Sequence, residues 1–418
     1  MRPPATTGKS SRQPENHFGA SKTPNPFSGC LSTRLPLIRT PAMWHFPHFT
    51  PNHAPDWDIL IARFNWLADM AVVPRDTEWH GEGDVLTHTK MVAAALFDLP
   101  EYQALDEQAQ HILFAAALLH DVEKRSTTTE ERDGKTRIIS PRHAKKGEHT
   151  ARQILYCDLA APFAVREAVA KLVRWHGLPL WAIEKPRPEH AVIAANLHTD
   201  TRLLTILAKA DALGRICPDT AELLDKIALF QALCEENQSW GVAYPFSGNH
   251  ARYHYLNHPE SSPSYQPYDD FSCTVHMMSA LPGSGKDTHI TRHFPDLPVL
   301  SLDDIRRAHR IDPADKKAAG RVIQLGKEQA RQYLRDQQDF VFNATNLTRE
   351  LRGKWTQLFA DYRARIRITY LEVPWQQLLR QNKQREHSVP ETVIRRLLGK
   401  LEIPFYDEAH EVEYCIGE

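Results

Sequence analysis

Two groups of residues in this 418-residue chain have the types and spacing that handle phosphate. The first is Ala280-Leu281-Pro282-Gly283-Ser284-Gly285-Lys286-Asp287-Thr288, which follows a short apolar run and opens a helical pattern. Glycines let the backbone wrap tightly, so its N–H groups and the helix N-terminus point at phosphate oxygens. Lys286 is then placed to neutralise the β- and γ-phosphates of a nucleoside triphosphate. Gly283, Ser284, Gly285, Lys286, Asp287 and Thr288 are the candidate nucleotide-binding residues. Ala280 replaces the usual first glycine, and Asp287 stands where Ser or Thr normally holds Mg²⁺. Further on, the next apolar run ends in Ser301-Leu302-Asp303-Asp304. A carboxylate at the carboxyl end of a parallel strand lies beside the ligand crevice of an open α/β sheet. There it can take a proton from an acceptor hydroxyl, the general-base role of kinase chemistry. The same pair of acids can also serve simply to cap a helix.

The second group is drawn from the 22 histidines, an unusually large number. His80-Gly81-Glu82-Gly83-Asp84 leads to His88, and His120-Asp121 closes the apolar stretch Phe114–Leu119. His143 precedes Gly147 and His149, His176 lies between Trp175 and Gly177, and Asp211 follows Lys209-Ala210. One histidine at a helix end is usually structural. A run of His, His-Asp, His, His and Asp on separate helices is the supply pattern of a one- or two-metal carboxylate–imidazole cluster. Such a metal lowers the pKa of a bound water and lets it attack phosphorus.

The elements that must carry these groups can be read from periodicity. From Asp56 to about Asn237, apolar residues recur at three- and four-residue intervals, as in Val85–Leu96, Glu107–Val122, Lys145–Tyr156, Ala164–Trp175, His190–Ile216 and Ala221–Glu235. With no alternating run to compete, residues 51–237 are expected to form an all-α domain. Residues 238–270, rich in Pro, Ser, Tyr, His and Asn, are expected to be a linker. From Cys273 onward, the runs Thr274–Ser279, Val299–Leu302, Phe340–Asn343 and Ile366–Leu371 alternate with helical stretches. That alternation predicts an α/β domain with a parallel sheet over 271–418. Residues 1–50 hold eight prolines, six basic residues and one acid without periodicity. They are expected to be disordered, or a non-native extension ahead of Met43; the composition also fits a transit peptide.

Lys plus Arg number 51 against 52 acids, which excludes a polybasic binder but leaves room for a local basic groove. The longest apolar run, Ile112–Leu119, is too short to span a bilayer. The six cysteines include no C-x-x-C pair, so neither a thiolate zinc site nor a disulfide framework is indicated. A reduced, cytoplasmic location is the expectation.

The phosphate loop, the block Asp303-Asp304-Ile305-Arg306, Thr345-Asn346-Leu347, Val373-Pro374-Trp375 and the arginines Arg380 and Arg385 occur in this order over residues 273–400. In that order they resemble phage-type 5′-hydroxyl polynucleotide kinases. The resemblance implies that Lys286 binds phosphate and Asp303 activates a 5′-OH. It also implies that Arg306 holds the acceptor's phosphate and Arg385 lies on the transferring phosphoryl. In those kinases a Ser follows the loop lysine and an acid precedes Thr-Asn-Leu. Here Asp287 and Ala344 fill the two positions, so Asp287 is a candidate Mg²⁺ ligand in place of the missing acid.

Residues 80–215 resemble the HD phosphohydrolase superfamily, and 80–92 especially the HD domains attached to tRNA nucleotidyltransferases. By position this makes His88, His120, Asp121 and Asp211 core metal ligands, with His143 and His176 completing a second metal position. His149 is expected to be structural, and Lys124 either meets substrate phosphate or is solvated. The two together resemble the bacterial HD-Pnk end-healing enzymes, which phosphorylate 5′-OH ends and remove 2′,3′-cyclic, 2′- or 3′-phosphates. That resemblance implies ATP or another NTP with Mg²⁺ in the second half, and one or two of Mn²⁺, Ni²⁺, Co²⁺ or Zn²⁺ in the first. The implied partners are RNA or DNA ends upstream of a nucleic-acid ligase, with no membrane. The rival reading is an HD nucleotide phosphohydrolase fused to a small-molecule kinase.

Overall fold

In the computed structural model, the structure is described for residues 43–76, 81–133, 135–311, 315–385 and 388–417. His80 and residues 1–42 lie outside these. The first half is a helical bundle whose helices begin where short acids can cap them. Asp84 accepts from the Thr87 N–H to start Val85–Asp98, and Asp106 accepts from the Ala109 N–H to start Glu107–Leu119. The latter helix is buried almost all round from Leu113 to Leu119, so the residues that follow it are delivered to the interior. His143–Gln153, Phe163–Trp175, Pro188–His198, Thr201–Leu213 and Thr220–Glu236 complete the bundle.

Three expectations need correction here. The helical half contains a two-stranded antiparallel hairpin, β1 (Thr129–Asp133) and β2 (Lys135–Ile139). The expected extension does not reach residue 50. Trp44, Phe46 and Phe49 are buried in the helical core, with Phe49 stacked on Phe114 at 3.8 Å between centroids. The aromatic residues bury enough apolar surface to order this stretch despite its missing periodicity. The expected linker contains a nine-residue helix, Asn249–Asn257, whose Ala251 and Tyr255 are buried.

The second half is a five-stranded, all-parallel sheet, as the alternation predicts. Its strands are β3 (Cys273–Ala280), β4 (Val299–Ser301), β5 (Phe340–Asn343), β6 (Ala364–Glu372) and β7 (Glu411–Ile416), in the order β4-β5-β3-β6-β7. One face packs Val275, Met277, Phe340, Phe342 and Ile368 with Trp355 and Phe359 of the helix Arg349–Asp361. The phosphate loop springs from the carboxyl end of β3, the central strand. A third cluster joins the halves: Tyr156 and Phe163 of the bundle pack with Leu281, Tyr370, Trp375 and Leu378 of the α/β half. Among the described residues, no helix is long and apolar enough to cross a membrane.

Candidate active sites

The helical half brings His88, His120, Asp121, His143, His176 and Asp211 to one place. Within each of two trios, His88–His120–Asp211 and Asp121–His143–His176, one ligand atom per residue lies within 4.8 Å of the others. Five helices deliver them, Asp211 coming from the end of Thr201–Leu213. His88 sits in the first turns of Val85–Asp98, while His120-Asp121 and His176 follow the last residues of Glu107–Leu119 and Phe163–Trp175. His143 opens His143–Gln153.

All four rings are oriented alike. Each donates an Nδ1–H to a backbone carbonyl: His88 to Gly214 at 3.1 Å, His120 to Ala117 at 2.8 Å, His143 to Ser140 at 2.8 Å and His176 to Val173 at 2.9 Å. That fixes the tautomer and turns every Nε2 lone pair inward. There the lone pairs face one another: His88 to His120 at 3.3 Å, and His143 to His176 at 3.4 Å.

Asp121 stands between the trios. Its Oδ2 lies 3.3 Å from His120 Nε2, and its Oδ1 lies 3.4 Å from His143 Nε2, buried and without a hydrogen bond. Facing lone pairs and an orphaned carboxylate oxygen are unfavourable without a cation and favourable with one, so the donor set fits divalent metal, with Asp121 able to reach two positions.

The electrostatics agree. His176 is pushed down to about 3 by burial, with His120 and His143 adding to the fall. Burial likewise lowers His88 and His143, helped by Arg75 and opposed by Asp121 respectively. Neutral rings are what metal ligation needs. Burial would lower His120 as well, but the Asp121 and Asp211 carboxylates outweigh it and raise that ring. Burial alone would raise both acids, yet Lys124 and His120 hold Asp121, and Arg215 and His88 hold Asp211, well below the usual carboxylate range. Asp211 needs this help because it lies in the last turn of Thr201–Leu213, the negative end of the helix dipole.

Three residues at this site escape sequence reading. Glu82 Oε1 lies 3.0 Å from His88 Nδ1, a carboxylate behind a ligand histidine. Arg75 donates to Asp121 Oδ2 at 3.0 Å, and Arg215 pairs with Asp211. Lys124 joins them, its Nζ 2.8 Å from Asp121 Oδ2. Arg75, Lys124 and His143 line an opening of about 190 Å³ that leads to the cluster. His149 belongs to neither trio. A third group, His45–Glu107–His111, has suitable spacing but unsuitable chemistry. His111 Nδ1 accepts the Phe46 N–H, so the neutral ring carries its proton on Nε2, the atom a metal would need.

The α/β half forms its site from backbone. Gly283 and Gly285 have φ of +90° and +87°, a region that favours glycine. A Cβ on Gly283 would also lie 3.0 Å from the Leu378 carbonyl oxygen. Lys286, Asp287 and Thr288 open the helix Lys286–His293. With Gly283, Ser284, Gly285 and Arg385 they line a cleft of about 710 Å³. Ser284 Oγ is buried without a partner. Burial lowers Lys286, and Asp287 opposes that fall more strongly than Arg385 adds to it. Asp287 Oδ1 accepts from Asn343 Nδ2 at 2.9 Å, so its carboxylate faces the end of β5. Asp303 and Arg306 lie on the helix Leu302–Ala308 after β4 and pair with each other at 2.7 Å. Ser301, not the acids, caps this helix, so the simple capping role for Asp303 and Asp304 is not the one observed. The residues lining the cleft include neither Asp303 nor Arg306.

Comparison with known families matches residues 85–216 to the family described as HD domain and residues 275–404 to the family described as AAA domain, a P-loop kinase-like domain. The chain therefore joins an HD hydrolase domain to a P-loop kinase-like domain, the two domains of an enzyme. Among solved structures it is similar to a putative kinase from Chloroflexus aurantiacus, at 12% identity over 35% of this chain and 88% of that one, with a TM-score of 0.30. It is also similar to a sugar kinase from Janibacter sp. (17% identity, 34% and 85% covered, TM-score 0.27) and a gluconokinase from Sinorhizobium meliloti (16%, 35% and 83%, TM-score 0.25). No curated protein matches.

Proposed function

We propose that this protein heals broken nucleic-acid ends: one half phosphorylates a 5′-OH with ATP or another NTP, and the other removes a 2′,3′-cyclic, 2′- or 3′-phosphate. Ribonuclease-type cleavage leaves a 5′-OH on one side of the break and a cyclic phosphate on the other. A ligase can join neither until both are treated. The observation that carries the reading is the presence of two phosphate-handling centres of opposite chemistry in one chain, one donating phosphoryl groups and one hydrolysing phosphoesters.

In the helical half, His88, His120, Asp121 and Asp211 would hold one divalent ion, and Asp121, His143 and His176 a second. Such ions supply an activated water and neutralise phosphate charge. Arg75 and Lys124 stand at the opening, where their charges hold phosphate oxygens in line. An imidazole-rich donor set favours Mn²⁺, Ni²⁺, Co²⁺ or Zn²⁺ over Mg²⁺. In the other half, the loop N–H groups and Lys286 bind the NTP phosphates, and Asp287 is a ligand for their Mg²⁺. Asp303 takes the proton of the 5′-OH, Arg306 holds the acceptor's phosphate and Arg385 meets the transferring phosphoryl.

The test is labelled-phosphate transfer from ATP to a 5′-OH oligonucleotide, beside free nucleosides and sugars, with release of phosphate from a 2′,3′-cyclic-phosphate oligonucleotide measured in the same preparation. The reading expects the oligonucleotide to be the preferred acceptor. Preference for a nucleoside or sugar would refute it. After chelation, hydrolysis is expected to return with Mn²⁺, Ni²⁺ or Co²⁺ more fully than with Mg²⁺.

A further inference from the structure

The segment 372–401 that carries Arg385 is held at both ends by the helical half. At its start, Glu372 closes β6, and its carboxylate is gripped by Arg166 through two parallel bonds of 2.8 Å each. The next residue, Val373, accepts the Tyr156 hydroxyl at 2.6 Å on its carbonyl oxygen. At its end, Leu401 accepts from Arg152 Nη1 at 3.3 Å. Between these anchors the segment is braced on itself and on the phosphate loop. Asn382 bonds both the N–H and the carbonyl of Val389, clamping the chain on either side of Arg385. The helix Trp375–Lys383 lies so close to Gly283 that a Cβ there would meet the Leu378 carbonyl oxygen at 3.0 Å and Asn382 Cβ at 3.1 Å.

The grip continues inward as alternating charges. Arg166 Nε bonds Glu167, Glu167 bonds Arg152, Arg152 bonds Glu148, and Glu148 pairs with Lys171. On the far side, Tyr370 donates its hydroxyl to Glu372. Arg152 and Arg166 are 1% exposed, so their charges are fully desolvated. Such a network adds little stability over apolar packing, but its geometry is strict, and a two-bond guanidinium–carboxylate pair sets one register. Glu372 and Val373 meanwhile line the cleft that holds the phosphate loop. The register of the two halves therefore sets where the arm starts, and with it where Arg385 stands.

We propose that Arg166, Tyr156 and Arg152, all in the hydrolase half, are positioning residues for phosphoryl transfer, acting through the arm that carries Arg385. This rests on the reading of residues 271–418 as a phosphotransferase, and not on which acceptor it uses. The experiment uses the full chain with whichever acceptor the wild type phosphorylates. ATP hydrolysis replaces transfer where no acceptor is used, so failure of the polynucleotide reading leaves the test intact.

Tyr156→Phe and the paired Arg166→Met/Glu372→Met substitution are each made alone and together with Arg385→Ala. The pair is expected to lower kcat for transfer about tenfold or more, and Tyr156→Phe about threefold, because small misplacements of a transition-state group are costly. Phosphoester hydrolysis stays within twofold. In the Arg385→Ala background neither change lowers kcat further, because the group they position is gone. Full multiplicative losses in that background, or wild-type kcat in the single-background variants, would overturn the proposal. Should the paired variant not fold, Tyr156→Phe removes only one oxygen atom and carries the test alone.

Discussion

The two sites of this chain solve opposite problems. In the helical half every candidate ligand side chain but His143 is almost wholly buried; His88, His120, Asp121 and Asp211 are at most 2% exposed. Their rings are already locked by carbonyls and their lone pairs already converge. In the α/β half the candidate general base Asp303 has a side chain 71% exposed and pairs with Arg306. The hydrolytic site is therefore assembled by folding, whereas the transfer site waits for its substrates. Burial explains the difference. Buried acids must be paired, and Arg75, Lys124 and Arg215 pair them here before any ion arrives, while a phosphate loop presents backbone N–H groups that need no partner until nucleotide arrives.

The largest expected effect separates the two sites outright. His120→Ala with Asp121→Ala should reduce phosphoester hydrolysis to background and leave phosphoryl transfer within a few-fold, since their side chains do not meet the phosphate loop. Lys286→Ala should do the reverse, costing transfer about a hundredfold or more and sparing hydrolysis. Loss of both activities in either folded variant would break the comparison. A smaller effect sharpens it. Glu82→Gln leaves the six ligands in place but removes the carboxylate behind His88, and should weaken metal binding about ten- to a hundredfold. Equilibrium dialysis of Mn²⁺ against the variant measures this without any turnover. Unchanged affinity would mean that Gly214 alone orients His88.

How much of this was legible in the sequence differs between the halves for the same reason. The paired motif His120-Asp121 and the separated histidines could be read because His and Asp recurring on separate helices is the supply pattern of a metal cluster. The phosphate loop could be read because its glycines are spaced for one backbone shape. Arg75, Glu82 and Arg215 could not be singled out: a lone arginine or glutamate is generic until the fold supplies its partner. The hairpin of β1 and β2 is built from charged stretches, so it shows no alternation of apolar and polar faces to detect. Residues 43–50 order through Trp44, Phe46 and Phe49, whose spacing matches neither helix nor strand. Helix–strand alternation brought out four of the five parallel strands, and β7 remained hidden in an acidic tail whose burial depends on its neighbour β6.

The smallest effect concerns Asp287, where the second half departs from the usual phosphate loop. Its carboxylate accepts from Asn343 at the last residue of β5, one position before Ala344. The carboxylate thus stands beside the strand end from which the resembling kinases present their acid. If it has taken over that acid's work at the Mg²⁺, one charge near the triphosphate is conserved and only its point of attachment has moved. An acid without that work would repel the nucleotide. Asp287→Ser should then lower the transfer rate about tenfold and raise the Mg²⁺ concentration needed for half-maximal rate. Ala344→Asp in the same chain should recover much of both. Ala344→Asp alone should be harmful, because two acids would then face one ion. A fourfold comparison of wild type, both single variants and the double variant reads the coupling directly. Near-normal rate and Mg²⁺ dependence in Asp287→Ser would leave Asp287 as no more than a favourable charge at the helix N-terminus.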